Sequence, residues 1–305
     1  AGDITLYARW EAETYTVTYV NTNGADNPNA ATYTAERHVT FEEITRKGYR
    51  FVEWRKGSEK GEAIRNTIGQ SGNITVYAVW RAEEYKITYL LRGGINGENP
   101  EKYTVEDGKI QLKPATRTGY KFLSWSTTIT GTEEVTVIDT ARAEDITLYA
   151  RWEAETYTVT LNITEGNTEE ITVTYGGVYS GLTTPERKGY TFEGWYTQAE
   201  GGTAVTTGTT VSETQNHELY ARWKINEYHI TYVLNGGANG ENPTGYTVET
   251  ENITLNAATR TGYKFTGWYE SESGGEKVTA IDTSRAEDIT LYARWEAETY
   301  TVTLN

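Results

Sequence analysis

The stretch Asp3-Ile-Thr-Leu-Tyr-Ala-Arg-Trp10 decides the fold, because the chain returns to it again and again. It recurs at residues 73–80, 145–152 and 288–295, and in shortened form at 218–223. Within it Ile4, Leu6, Ala8 and Trp10 alternate with Thr5, Tyr7 and Arg9. A period of two marks a strand with one buried and one open face. The tryptophans that close the copies, at 10, 80, 152, 223 and 295, stand 70, 72, 71 and 72 residues apart. Self-similarity at a fixed period points to an array of small modules rather than one large domain.

A second motif, Arg-x-Gly-Tyr-x-Phe-x-x-Trp, occupies residues 46–54, 117–125, 187–195 and 260–268. The two motifs together account for all 9 tryptophans. Each module opens on a further alternating segment, in which Tyr15, Val17 and Tyr19 oppose Thr16 and Thr18. In the middle motif Tyr49 and Phe51 alternate with Arg50, and Gly48 supplies a tight backbone entry. Residues 235–243 are rich in Asn, Gly and Pro and read as turns. The polar stretches 139–145 and 282–288 read Asp-Thr-x-Arg-Ala-Glu-Asp, an N-cap followed by helix formers, and predict one short helical turn each.

These signals divide the chain into the tail of a preceding module with its linker (1–14), modules at 15–84, 85–156, 157–227 and 228–299, and the first strand of a following module (300–305). A larger period is superimposed. Modules 1 and 3 read Arg-Lys-Gly-Tyr and modules 2 and 4 read Arg-Thr-Gly-Tyr, while residues 143–162 and 286–305 are identical at an offset of 143. A two-module block has been copied. The linkers 11–14, 81–84, 153–156, 224–227 and 296–299 contain no Gly or Pro. Four extended residues span only about 13 Å, so neighbouring modules must nearly touch. Modules roughly 25–30 Å wide, four in line, predict an elongated rod on the order of 120–160 Å.

A module this small buries only about 60% of its unfolded surface. Large aromatics offset that. A buried Trp contributes roughly 4–6 kcal/mol gross at ~25 cal/mol per Å², before entropy is subtracted. Trp54, Trp80, Trp125, Trp152, Trp195, Trp223, Trp268 and Trp295 are therefore the expected core signature.

Composition narrows the function. With 28 Lys+Arg against 43 Asp+Glu the formal charge is -15, which argues against nucleic acid as a partner. The absence of cysteine removes disulfides, thiolate metal sites and cysteine nucleophiles together. No apolar run approaches the ~20 residues of a membrane-spanning helix, so membrane insertion is not expected. With no Met anywhere, the first residue is expected not to be a translation start and the chain to be an internal piece.

Chemistry is sparse. The 3 histidines, at 38, 217 and 229, do not recur from module to module, as a catalytic base of a repeated enzyme would. No catalytic residue, cofactor or metal is expected, although Asn and Asp cluster at 21–29 without the spacing of a calcium loop. Lys86, Lys121 and Lys264 alternate onto outward positions, so no isopeptide cross-link is expected. The recurring surface feature is the closing-strand tyrosine, Tyr7, Tyr77, Tyr149, Tyr220 and Tyr292. At fixed spacing these form a candidate row for glycan or protein, unless they are simply good strand residues.

The ordered trio Tyr-x-Val-Thr-Tyr, Arg-x-Gly-Tyr-x-Phe-x-Gly-Trp-Tyr (complete at residues 260–269) and Leu-Tyr-Ala-Arg-Trp resembles the Listeria–Bacteroides repeat, a family that includes the B repeats of Listeria internalins. The resemblance covers essentially the whole chain. It implies a mainly β fold with minor α, built of β-grasp-like modules of about 70 residues. It also implies a place in secreted or cell-wall-attached proteins of the bacterial cell surface. Val79 and Val52-Glu53 depart from the pattern, which bears on local loop geometry. The function expected is a non-enzymatic, semi-rigid spacer or stalk of a surface protein or adhesin, its partners being neighbouring modules of the same chain. The alternatives are repeats that bind a host or matrix protein or glycan, or that assemble with other copies as a surface fibre. Loops that differ between modules, such as 21–29 and 165–169, favour the spacer, since a shared ligand would demand similar loops.

Overall fold

The computed structural model describes residues 2–303 and is mainly β, with several small sheets in tandem. Contacts group the chain into two compact units, Ala1–Glu153 and Ala154–Asn305, each holding two modules. Every module has its own hydrophobic cluster.

In module 1 an opening strand (Tyr15–Val20), a short edge strand (Thr32–Tyr33), a middle strand (Tyr49–Lys56) and a closing strand (Ile74–Ala82) form one sheet. The spatial order is edge, opening, closing, middle. Opening and closing strands run parallel, with Val17 beside Ile74 and Val20 beside Tyr77, whereas the outer pairings are antiparallel. Module 2 (Tyr85–Leu90, Lys102–Tyr103, Tyr120–Ser126, Ile146–Ala154) and module 4 (Tyr228–Val233, Gly245–Tyr246, Tyr263–Tyr269, Ile289–Ala297) repeat this order. Module 3 keeps the order but has a much longer edge, in which Thr156–Thr164 pairs along its length with Asn167–Thr174.

The closing strand is central, so its alternation is the strongest of any segment. Val76, Leu148, Leu219 and Leu291 are fully buried, and the tyrosine after each lies on the opposite face. The residue just ahead of the strand anchors its parallel neighbour. Asn73, Asp145, Asn216 and Asp288 accept the backbone N–H of Thr16, Lys86, Thr158 and His229 at 2.9, 2.7, 2.9 and 2.8 Å. The expected helical turns are 3-10 turns at Thr140–Arg142 and Thr283–Arg285, capped by Asp139 and Asp282.

Two features were not readable from the period of two. In the middle strand Phe51 and Trp54 both face inward although an odd interval separates them, because the ladder slips between Phe51 and Glu53. The same bulge falls between Phe192 and Gly194 and between Phe265 and Gly267. Gly194 and Gly267 have φ of 142° and 151°, whereas module 1 forms the bulge with Glu53, which has no positive φ. The unusual residue before Trp54 thus leaves the bulge intact. Second, the closing strands run on through Ala82 and Ile225. Only residues 83–84 and 226–227 remain between strands where the sequence indicated linkers of four.

Residues 3–10 repeat the closing-strand sequence yet form no strand, and Ile4, Leu6 and Trp10 are 85%, 88% and 92% exposed. Among the described residues no opening or middle strand pairs with them, and a strand needs such partners to satisfy its backbone.

Candidate interaction surface

The tryptophans organise each module from inside. Trp54, Trp125, Trp195 and Trp268 are buried, and their indole N–H groups donate to the carbonyls of Glu42, Lys113, Thr183 and Asn256 at 2.9, 2.9, 2.8 and 2.8 Å. Each bond ties the bulged strand to the loop twelve residues earlier. Trp80, Trp152, Trp223 and Trp295 are half-buried at the rim of the core. They donate to Asn21, Leu91, Ile163 and Leu234 carbonyls at 2.8, 3.0, 2.9 and 3.0 Å, at the end of the opening strand. Phe51 packs against both indoles of its module, 5.4 and 5.6 Å between ring centres, and Phe122, Phe192 and Phe265 do likewise. These tilted and edge-on contacts add specificity to the area buried.

The Arg-x-Gly-Tyr motif is a tight turn. The Tyr N–H donates to the Arg carbonyl at 3.0–3.1 Å in all four modules. The guanidinium stacks over the Tyr ring, 3.6–3.7 Å from its centre, at Arg46, Arg117, Arg187 and Arg260. Gly48, Gly119, Gly189 and Gly262 at the third position have φ of 82°, 73°, 84° and 77°, which L residues rarely adopt.

On the outward face Tyr77, Tyr149, Tyr220 and Tyr292 occupy equivalent strand positions and are half-buried, whereas Tyr7 lies outside any strand and is 86% exposed. Their surroundings differ. Tyr77 stands beside Arg55 of the middle strand, while Tyr220 and Tyr292 stand beside Tyr196 and Tyr269. Arg222 and Arg294 stack over Tyr196 and Tyr269 at 3.7 Å. The Tyr220 hydroxyl donates to Glu218 at 2.5 Å, and that bond holds the phenol above its usual pKa. The row is regular in position and varied in chemistry.

The histidines do not converge. His38 and His229 are exposed, and His217 shares a 2.9 Å hydrogen bond with the Tyr179 hydroxyl. Among the described residues no group of three or more His, Asp or Glu is placed to hold a metal. In the 21–29 loop the carboxamides engage one another: Asn23 donates to Asn21 and Asn29 to Asn27, both at 2.7 Å. Lys86, Lys121 and Lys264 are exposed. No helix among the described residues is long and apolar enough to cross a membrane.

The sequence profile of the Listeria-Bacteroides repeat domain matches residues 15–79, 85–151, 157–222 and 228–294. Two proteins of Evansella cellulosilytica whose names carry the words "membrane protein" and "Gly-rich membrane protein" are 31% and 30% identical over 96% and 99% of this chain. Internalin H of Listeria monocytogenes is 34% identical over 46% of it. The matched regions make up 45%, 36% and 25% of those proteins, so the chain spans less than half the length of each.

Proposed function

The chain belongs to the Listeria–Bacteroides repeat family, and on that basis we propose that it is a non-enzymatic, semi-rigid spacer in an extracellular bacterial surface protein. The observation that carries this reading is the way modules 1, 3 and 4 tie down the residues that leave them. The N–H of Glu83, Asn226 and Glu298 donates to the carbonyl of Gly48, Gly189 and Gly262 at 3.0, 2.9 and 3.0 Å. A connector of two residues so tied has little freedom, unlike a Gly/Ser-rich tether. The strand order, with first and last strands parallel at the centre, supports a β-grasp-like module. The names of the relatives support a surface setting. Small-angle scattering of the chain should give a maximum dimension on the order of 120–160 Å. A compact particle would rule the spacer out.

A second reading, recognition of glycan or protein by the outward tyrosines, is favoured by the cross-strand neighbours Tyr196–Tyr220 and Tyr269–Tyr292, with arginines stacked over Tyr196 and Tyr269. Replacing Tyr7, Tyr77, Tyr149, Tyr220 and Tyr292 together by Thr should abolish glycan-array or cell binding if the face is a ligand site. Binding that survives the change would leave the spacer alone.

A further inference from the structure

Where the modules of each unit meet, a glycine of one faces a valine of the next. A Cβ added to Gly48 of module 1 would lie 2.3 Å from a Val105 methyl carbon of module 2, and one added to Gly189 of module 3 would lie 2.3 and 2.5 Å from the methyls of Val248 of module 4. The valine therefore rests on bare backbone at the Arg-x-Gly-Tyr turn. Polar contacts surround it. The Tyr190 hydroxyl donates to Glu249 at 2.5 Å. In the other unit Glu106 joins Arg46 and Tyr49 in lining a cleft of about 330 Å³. The Asp282 carboxyl is held below its usual range by its bonds with Ser284, and the Lys188 charge adds to this across the joint.

The sequence assigns these groups by module parity. The register of the edge strands pairs Tyr15 with Tyr33, Tyr85 with Tyr103, Tyr157 with Val173 and Tyr228 with Tyr246. Two residues further on, modules 2 and 4 carry Val105 and Val248 where modules 1 and 3 carry Ala35 and Tyr175; a Glu follows in modules 1, 2 and 4, so the valine is what sets the even modules apart. The leading modules in turn carry Lys47 and Lys188 before the turn glycine, where modules 2 and 4 carry Thr118 and Thr261. The two halves of the joint thus sit on different kinds of module.

We propose that the Lys-Gly-Tyr turn of an odd module and the Thr-Val-Glu hairpin of the even module after it are matched docking surfaces. They make the two-module block, rather than the single module, the rigid segment of the array. The 143-residue duplication then copies a joint as well as two domains. The biological use of this rigidity rests on the spacer reading, but the joint stands on its own contacts.

The chain has no cysteine, so two labels can be placed cleanly. Spin labels at Thr172→Cys in module 3 and Thr290→Cys in module 4, both on exposed strand positions of the full chain, report the joint by double electron–electron resonance. A single narrow distance distribution is expected, and Val248→Asp should broaden it at least about twofold. Gly189→Ala should broaden it as well. Gly262→Ala, at φ 77° with no atom within 4 Å of the added methyl, carries the same backbone strain and should leave the width unchanged. Hydrogen exchange at module cores checks folding. If Val248→Asp unfolds module 4, Val248→Ala takes its place with the same expected direction. A broad parent distribution, or one that neither Val248 nor Gly189 variants alter, overturns the proposal. A narrow distribution beside a compact scattering particle would instead refute the spacer and leave the joint standing.

Discussion

Modules 3 and 4 solve one problem in two ways. Both must carry the chain from the opening strand back to the sheet edge and then into the middle strand. Module 4 does so with a compact loop built on a buried carboxamide. Asn242, 5% exposed, donates to the carbonyls of Asn239 and Asn256 at 2.6 and 3.0 Å and accepts the Asn256 N–H at 2.6 Å. Module 2 does the same with Asn99, and module 1 with Asn29. Module 3 has no such residue. Its opening strand simply continues, turns at Glu165–Gly166 and returns as a hairpin whose own ladder satisfies the backbone. Yet in both modules the middle indole reaches the carbonyl twelve residues back, and the closing indole reaches the end of the opening strand. The tryptophan anchors are fixed while the path between them is free, because a core tolerates any loop that returns the chain to the same carbonyls.

The largest effect tests the shared part. Trp195→Ala and Trp268→Ala should each cost about 3–5 kcal/mol, the usual range for a buried tryptophan, and should cost alike. Hydrogen exchange resolved by module would read this, and a difference above about 2 kcal/mol would break the equivalence of the anchors. Next comes the part that differs. Asn242→Ala should destabilise module 4 by about 1–3 kcal/mol, since it strands the N–H of Asn256, whose carbonyl keeps the Trp268 indole. Glu169→Ala in the exposed hairpin of module 3 should change stability by less than about 0.5 kcal/mol. If the two cost the same, the carboxamide does not hold the loop. The hairpin has its own weak point, Gly166 at φ 75°, where Ala should cost about 1 kcal/mol and loosen module 3 alone.

The smallest effect is alkaline. Tyr19, Tyr89 and Tyr232 are half-buried, and burial pushes each phenol up to about 12; module 3 has Leu161 in this position. A phenol that ionises later in the folded state than in the unfolded one contributes stability that is complete below about pH 10. That contribution is lost as pH rises from about 10 towards 12. Modules 1, 2 and 4 should therefore soften over that window, and Tyr232→Phe should remove the dependence from module 4. In module 3 the hydrogen bond to Glu155, with some burial, pushes the Tyr157 phenol up to about 12, and burial raises Tyr179, so that module softens through different tyrosines. Exchange rates followed from about pH 9 to 11 would read this, and softening of module 4 that persists unchanged in Tyr232→Phe would contradict the assignment.

Much of the molecule was legible in the linear order of residues. The number of modules, the inward face of Val76 and Leu148, the turn at Gly48 and the capped turns at Asp139 and Asp282 follow from local rules. Strand alternation, left-handed glycines and N-caps all act within a few residues. The tyrosine row was legible as a spacing, but its chemistry was not. Whether Tyr220 meets Tyr196 or Tyr77 meets Arg55 depends on which middle-strand residue lies opposite after the bulge. The closing tryptophans, read as core residues, are half-buried and pack against the buried clusters, and the carbonyls that their indoles meet at the end of the opening strand were not legible.

Residue order alone thus settles an array of mainly β modules, their two tryptophan positions and the face that each strand buries. Three things come from folding in space: the slip that turns Trp54 inward, the carbonyls that the indoles find, and the seating of Val105 and Val248 on bare glycine backbone. Periodicity reports which way one strand faces. It carries no information on which residues, far apart in sequence, the folded backbone sets opposite one another.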